Sequence, residues 1–178
     1  MYNAEQIIIR DCEESDLPAI LEIYNEAILN TTALFEYKIF TAERVGDWFK
    51  KKKEDNFPVF VAGVEDKMAG FGTYGHFRDR PAYKYTVEST VYVHTNYRGQ
   101  GIGKLMVSSL IDYAIQSDLH AIIAGIEATN ISSIHLHRNL GFMQVAEFKQ
   151  VGFKFNRWLD VIFLELVLST PRSPKENE

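Results

Sequence analysis

At 178 residues, 46% of them apolar and 24% charged, the chain has the composition of one soluble globular domain able to bury a full core. Its net charge of -5, with no continuous basic stripe, excludes a phosphate-backbone footprint and so argues against nucleic acid as a partner. A single cysteine, Cys12, excludes an internal disulfide framework; no apolar run approaches bilayer length and Met1 to Glu5 lacks a leader pattern, which together point to the cytoplasm and away from a membrane.

Ile7 to Arg10 reads as a short strand. Ser15-Asp16 then opens a helix in which Leu17, Ile20, Leu21, Tyr24, Ala27 and Ile28 recur at helical spacing, with Pro18 acceptable in its first turn. Cys12, just after the apolar Ile7-Ile8-Ile9, fits a small buried side chain better than a nucleophile. Asn30 to Phe40 has no period and is rich in threonine and aromatic residues, so it is expected to be a loop that can fold over a pocket. Thr41 caps a second helix with Val45, Trp48 and Phe49 on its apolar side, and Lys50 to Lys53 forms that helix's solvated end, where cations complement the carbonyl end of the dipole.

Phe57 to Val64 and Met68 to His76 make a hairpin around Glu65-Asp66-Lys67, and Tyr83 to His94 makes a longer strand. A glycine-rich turn leads into a helix carrying Leu105, Met106, Ser109, Leu110 and Tyr113 at helical spacing. His120 to Glu127 is nearly all apolar, as in a strand covered on both faces. Asn130 to Leu140 forms a short helix stopped by Gly141, and Gln144 to Phe155 and Trp158 to Leu168 close the chain as strands around Asn156-Arg157. This order implies one mixed α/β domain over residues 1–168, followed by a polar tail over 169–178 that is expected to be disordered.

The strongest local signal is Val91-Tyr92-Val93-His94-Thr95-Asn96-Tyr97-Arg98-Gly99-Gln100-Gly101-Ile102-Gly103-Lys104, read as strand, turn and helix. Glycines at alternate positions let main chain approach a ligand, and the unpaired N–H groups opening the helix suit a diphosphate. Arg98 and Lys104 flank the turn as further phosphate donors. A Walker loop is excluded because Leu105 follows Lys104. A dinucleotide fingerprint would need glycine in place of Lys104, yet Glu127 stands near the distance of a ribose-binding acid, so on the residues alone that reading stays open.

Arg98-Gly99-Gln100-Gly101-Ile102-Gly103 resembles the Arg/Gln-x-x-Gly-x-Gly/Ala motif of the GCN5-related N-acetyltransferases. Asn130, Ser133, His137 and Gly141-Phe142 resemble a second motif of that family, with His137 where many members have tyrosine. Glu88-Ser89-Thr90-Val91-Tyr92-Val93, Val151-Gly152-Phe153-Lys154 and Arg157-Trp158-Leu159-Asp160-Val161 narrow the resemblance to its phosphinothricin acetyltransferase-like branch, over roughly Ile7 to Leu168. The resemblance implies a mixed, mostly antiparallel sheet flanked by helices, acetyl-CoA as cosubstrate, and a dimer. It also implies an amino-acid-like acceptor such as phosphinothricin, methionine sulfoximine or methionine sulfone, acetylated on its α-amine. Coenzyme contacts are then expected from the strand at Val91, Tyr92 and Val93, from the turn residues Arg98, Gly99, Gln100, Gly101, Ile102, Gly103 and Lys104, and from Asn130 and Ser133.

Acetyl transfer needs a base, because the acceptor amine is mostly protonated near neutrality. Strand alternation puts Glu88, Thr90 and Tyr92 on one face and Val87, Ser89, Val91 and Val93 on the other. Alternation alone leaves Glu88 as readily a solvated carboxylate; the resemblance makes it the base. A bulge near Val91 to Val93 would free an N–H for the thioester oxygen. His137, at the family's Tyr/His position, is expected to protonate or orient the departing sulfur. Phe35, Tyr74, Tyr83 and Tyr85 with Arg78 and Arg80 form a candidate acceptor site of rings and guanidinium groups. His76, Asp79 and His94 lack a metal-ligand spacing, and no metal is invoked. Other readings are an acetyltransferase for a protein N-terminus or a polyamine, and a non-catalytic coenzyme A-binding module.

Overall fold

The computed structural model describes residues 7–65 and 67–176. Met1 to Glu5 and Asp66, read above as a leaderless terminus and as part of a hairpin turn, lie outside them. The elements run β1 (Ile7–Asp11), α1 (Leu17–Asn30), α2 (Ala42–Glu54), β2 (Val59–Val64), β3 (Lys67–His76), β4 (Thr86–Val93), α3 (Ile102–Gln116), β5 (Ala121–Glu127), α4 (Ile131–Asn139), β6 (Met143–Lys154) and β7 (Arg157–Val167). The strands form one seven-stranded sheet in the order β1-β2-β3-β4-β5-β7-β6, antiparallel except between β4 and β5. The expected mixed, mostly antiparallel α/β domain is what forms.

Each face of the sheet is covered by its own helices. On one face, Ile20, Ile23 and Tyr24 of α1 and Val45 and Phe49 of α2 close over Val59, Val61 and Phe71. On the other, Val107, Leu110 and Ala114 of α3 and Ile134 of α4 pack on Val87, Ile122, Ala124 and Leu164. Successive residues of β5 are buried on both of its faces, all but Gly125, which accounts for its unbroken apolar run. Cys12 is buried and its thiol is pushed up to about 12, chiefly by desolvation, so it is no nucleophile near neutrality.

Several boundaries differ from the sequence expectation for local reasons. The strand expected from Tyr83 begins at Thr86, because Pro81–Tyr83 closes a 3-10 turn first. The last hairpin turns at Phe155-Asn156, not Asn156-Arg157; both central residues have positive φ (51° and 56°), the twist that suits two antiparallel strands. Lys52, expected to be solvated, instead folds under to donate to the Tyr74 carbonyl, and burial lowers its pKa. Past β7, Thr170 Oγ1 donates to Leu119 O at 2.5 Å and Lys175 N to Tyr85 Oη at 3.0 Å. None of the described helices is long and apolar enough to cross a membrane.

Candidate active site

The site grows from the sheet's one parallel pair. β4 and β5 share register only from Thr86↔Ala121 to Glu88↔Ile123, after which β4 runs on to Val93 and β5 to Glu127 without pairing. Ser89 Oγ donates to Ile123 O at 3.3 Å at the point of divergence. Beyond it opens a cleft of about 950 Å³, walled by the second half of β4, the start of α3, the end of β5 and α4.

One edge of β4 is therefore free. His94 N bonds Ala69 O, so by antiparallel alternation the N–H groups of Val91 and Val93 point the other way, into the cleft. The β3–β4 register is continuous from Gly70↔Val93 to His76↔Val87, so it is strand divergence and not a bulge that frees these groups.

At the cleft's open end the glycine turn meets α3. Gly99 and Gly101 have φ of 75° and 86°, a left-handed backbone that disfavours side chains, and nothing lies within 4 Å of where a Cβ would project from either. The first bond of α3 runs from Leu105 N to Gly101 O, which leaves the N–H groups of Ile102, Gly103 and Lys104 at the helix's positive end. That cradle, with the exposed Lys104 ammonium at the rim, fits a diphosphate. Arg98 does not point into it: its Nε donates to Val93 O at 3.0 Å and its Nη2 pairs with Glu26 at 2.7 Å, so it braces the turn. Gln100 lines no part of the cleft, its side chain turning back to Asn96 O. On the far wall, Asn130 caps α4 by accepting from Ser133 N at 3.2 Å with Oδ1, which keeps its Nδ2 donors available; both residues line the cleft.

His137 also lines the cleft, 7% exposed, with its ring edge-on to Phe142. Its Nδ1 lies 2.8 Å from the Ser133 carbonyl, which can only accept, so Nδ1 carries the proton. Desolvation lowers the imidazole pKa, with the Ser133 bond opposing it, and in the neutral ring Nε2 is left as an acceptor. The expected proton donation to sulfur does not suit this tautomer; orientation by an accepted hydrogen bond does.

Glu88 sits at the apex on the α1/α2 face, beside Gly125 of β5. A Cβ on Gly125 would come 3.1 Å from Glu88 Oε1 and 3.3 Å from Phe163 Cε1, so the bare glycine makes room for the carboxylate against an aromatic ring. Burial raises the Glu88 pKa, and the positive charge of Arg78 partly counters this. Arg78 reaches toward Glu88 from the β3–β4 connection, where Phe77 and Tyr83 pack with ring centroids 5.8 Å apart. Arg80 is exposed on the same connection, and Tyr85 Oη is bonded to the Lys175 main chain. Tyr74 belongs elsewhere: it is 0% exposed on the α3 face between Phe57 and Tyr113, with no surface to offer a ligand.

Phe35 lies on the loop between α1 and α2, which is strapped over the α1/α2 face. A Cβ on Gly152 would run into the Phe35 ring. The buried Lys154 ammonium donates to Thr31 O at 2.8 Å and Leu34 O at 2.7 Å, and Tyr37 Oη donates to Phe153 O at 2.5 Å. From the cleft side, Glu127 accepts from Thr32 Oγ1 at 2.8 Å and from the main-chain N–H of Thr129 at 3.2 Å, with Arg157 4.0 Å away. Its carboxylate is thus engaged in holding the loop rather than free to meet a ribose. Neither Lys154 nor Glu127 shows as a strap in the sequence, because their partners lie 120 and 95 residues away. A group of three or more His, Cys, Asp and Glu side chains placed to hold a metal is absent among the described residues.

A model of the acetyltransferase (GNAT) domain matches residues 9–163. The chain belongs to the GNAT acetyltransferase family. It is 39% identical over 166 residues to the L-amino acid N-acyltransferase of Escherichia coli K12, covering 93% of this chain and 96% of that protein. With the L-methionine sulfoximine/L-methionine sulfone acetyltransferase of Pseudomonas aeruginosa it shares 41% identity over 167 residues, again 93% and 96% of the two chains. The solved GNAT phosphinothricin acetyltransferase of Sinorhizobium meliloti in complex with acetyl-CoA superposes with a TM-score of 0.91 at 33% identity, over 95% of this chain and 92% of that one.

Proposed function

We propose that this GNAT enzyme moves the acetyl group of acetyl-CoA to the α-amine of a small amino-acid-like acceptor. The observation that carries it is one strand, β4, whose half-buried carboxylate Glu88 feels the positive charge of Arg78 and whose unpaired N–H edge runs on into an anion cradle. The relatives named for L-amino acids, methionine sulfoximine and methionine sulfone support the acceptor class.

The bound coenzyme supplies an activated acetyl thioester. The N–H groups of Ile102, Gly103 and Lys104 hold the diphosphate, and the N–H edge at Val91 and Val93 with Asn130 Nδ2 aligns the arm along the cleft. Glu88, desolvated and ionised, takes one proton from the acceptor's ammonium, directly or through water, so that the nitrogen lone pair can form the new C–N bond. As the C–S bond breaks, the amine's second proton goes to the departing sulfur, whose S–H can be held by His137 Nε2. Arg78 pairs with the acceptor carboxylate, and Phe35 and Tyr83 wall the approach.

An arginine at the acceptor side disfavours a polyamine, and the strapped loop favours a small molecule over a protein N-terminus. The β6–β7 hairpin at the sheet edge exposes Phe148, Val151, Phe153, Phe155 and Trp158, and supports a homodimer through that face. A free buried thiol and dependence on coenzyme A fit the cytoplasm. The test is thiol release from acetyl-CoA across methionine sulfone, methionine sulfoximine, phosphinothricin, common amino acids, polyamines and short peptides. Turnover confined to peptides or polyamines, or coenzyme binding without turnover of any amine, would reject the reading.

A further inference from the structure

The free edge of β4 ends at Val93, where the main chain turns toward the anion cradle. In a strand the N–H and C=O of one residue point to the same side, so Val93 O faces the cleft together with Val93 N–H. It is the last strand carbonyl on that wall before the cradle. Its partial negative charge is unfavourable beside a diphosphate, and a carbonyl placed there needs a donor of its own. Arg98 supplies one, through Nε at 3.0 Å.

A guanidinium in this place has two claims on it. Arg98 stands on the cleft wall, directly before Gly99 of the turn, with its side chain 45% exposed. Without another partner it would turn its planar fork to a diphosphate in the cradle and strip Val93 O of its donor. Helix α1 prevents this. Glu26 Oε2 accepts from Arg98 Nη2 at 2.7 Å, and the Glu26 side chain is only 19% exposed. One turn earlier on the same row of α1, Glu22 Oε1 lies 3.7 Å from His94 Nε2. The Glu22 side chain is 72% exposed, so solvent screens that pair and the hold of α1 on the turn rests on Glu26.

We infer that Glu26 is a positioning residue that withholds Arg98 from the coenzyme's diphosphate and keeps it on Val93 O. The inference rests on the coenzyme reading above and extends it to a residue outside both motifs. The two effects of Glu26 have opposite signs. Because Glu26 neutralises it, Arg98 adds little to coenzyme affinity, and the diphosphate is left to the main-chain N–H groups of α3. Because Glu26 aims it, Arg98 fixes the end of the N–H edge that aligns the thioester arm. Nothing in the sequence marks Glu26, which reads as a solvated acid of an amphipathic helix; its partner lies 72 residues further on.

The test measures coenzyme A affinity by calorimetry, at low and at high salt, in the wild type, Glu26→Gln, Arg98→Gln and the double variant. Alongside it, kcat is measured with the acceptor that the wild type turns over fastest. Glu26→Gln is expected to bind coenzyme A about two- to fivefold more tightly at low salt, the scale of one half-exposed ion pair, with the gain lost at high salt. Its kcat is expected to fall about tenfold. In the Arg98→Gln background, Glu26→Gln should leave affinity unaltered. A loosened fold lowers affinity and cannot raise it, so tighter binding with slower turnover is not a stability effect. Affinity unchanged or weakened by Glu26→Gln, an unchanged kcat, or a gain that survives in the Arg98→Gln background would overturn the inference while the enzyme reading stands. A wild type that binds no coenzyme A would take both down.

Discussion

Replacing Lys154 by methionine removes the ammonium that ties Thr31 O and Leu34 O to the β6–β7 hairpin while keeping a stem of similar length. Two charge-assisted bonds contribute about 1.5–3 kcal/mol each, roughly 3–6 kcal/mol together, before the cost of burying the ammonium is set against them. A net loss of about 2–3 kcal/mol is expected, and it falls on loop closure, because both bonds of the ammonium go to loop carbonyls. At 1.4 kcal/mol per factor of ten, loop opening becomes about 30–150 times more frequent. Native-state hydrogen exchange reads this directly: the Phe40 amide, bonded to Asn25, should lose protection by that factor while α3 amides do not change. The acceptor KM should rise with the coenzyme KM little altered. Loop protection within twofold of wild type would refute the strap.

Glu88→Gln should lower kcat by about a hundredfold or more while coenzyme affinity is retained, and should abolish the acid limb of the kcat/KM profile. That limb should lie above the usual carboxylate range, because desolvation raises the Glu88 pKa. The sign for stability is opposite to that of a paired carboxylate. A raised native pKa means the folded state holds its proton over a window above pH 4.5 where the unfolded chain has lost it, so stability falls as pH rises through that window. Glu88→Gln should therefore melt higher than wild type near neutrality; a lower melting temperature would contradict the burial argument. For His137, nitrogen NMR should show Nδ1 protonated and Nε2 bare at neutral pH, with titration displaced below 6.5. A ring protonated on Nε2 would restore it as a candidate acid.

The sequence alone determined what depends on local chemistry. Periodicity located the helices and strands, glycine marked the turn that builds the cradle, asparagine marked the start of the helix on the far wall, and alternation along β4 put Glu88 and Thr90 on one face. Residue type alone does not fix what a side chain meets: Tyr74 is an aromatic strand residue turned to the core, and Arg98, on the wall of the cleft, is paired with Glu26. Tertiary structure decided the rest. The divergence of β4 from β5, the proton on His137 Nδ1 and the Lys154 and Glu127 straps all depend on which groups meet. Side-chain periodicity records the face on which a residue lies, but hydrogen bonding and desolvation are set by neighbours that the chain brings together only when it folds.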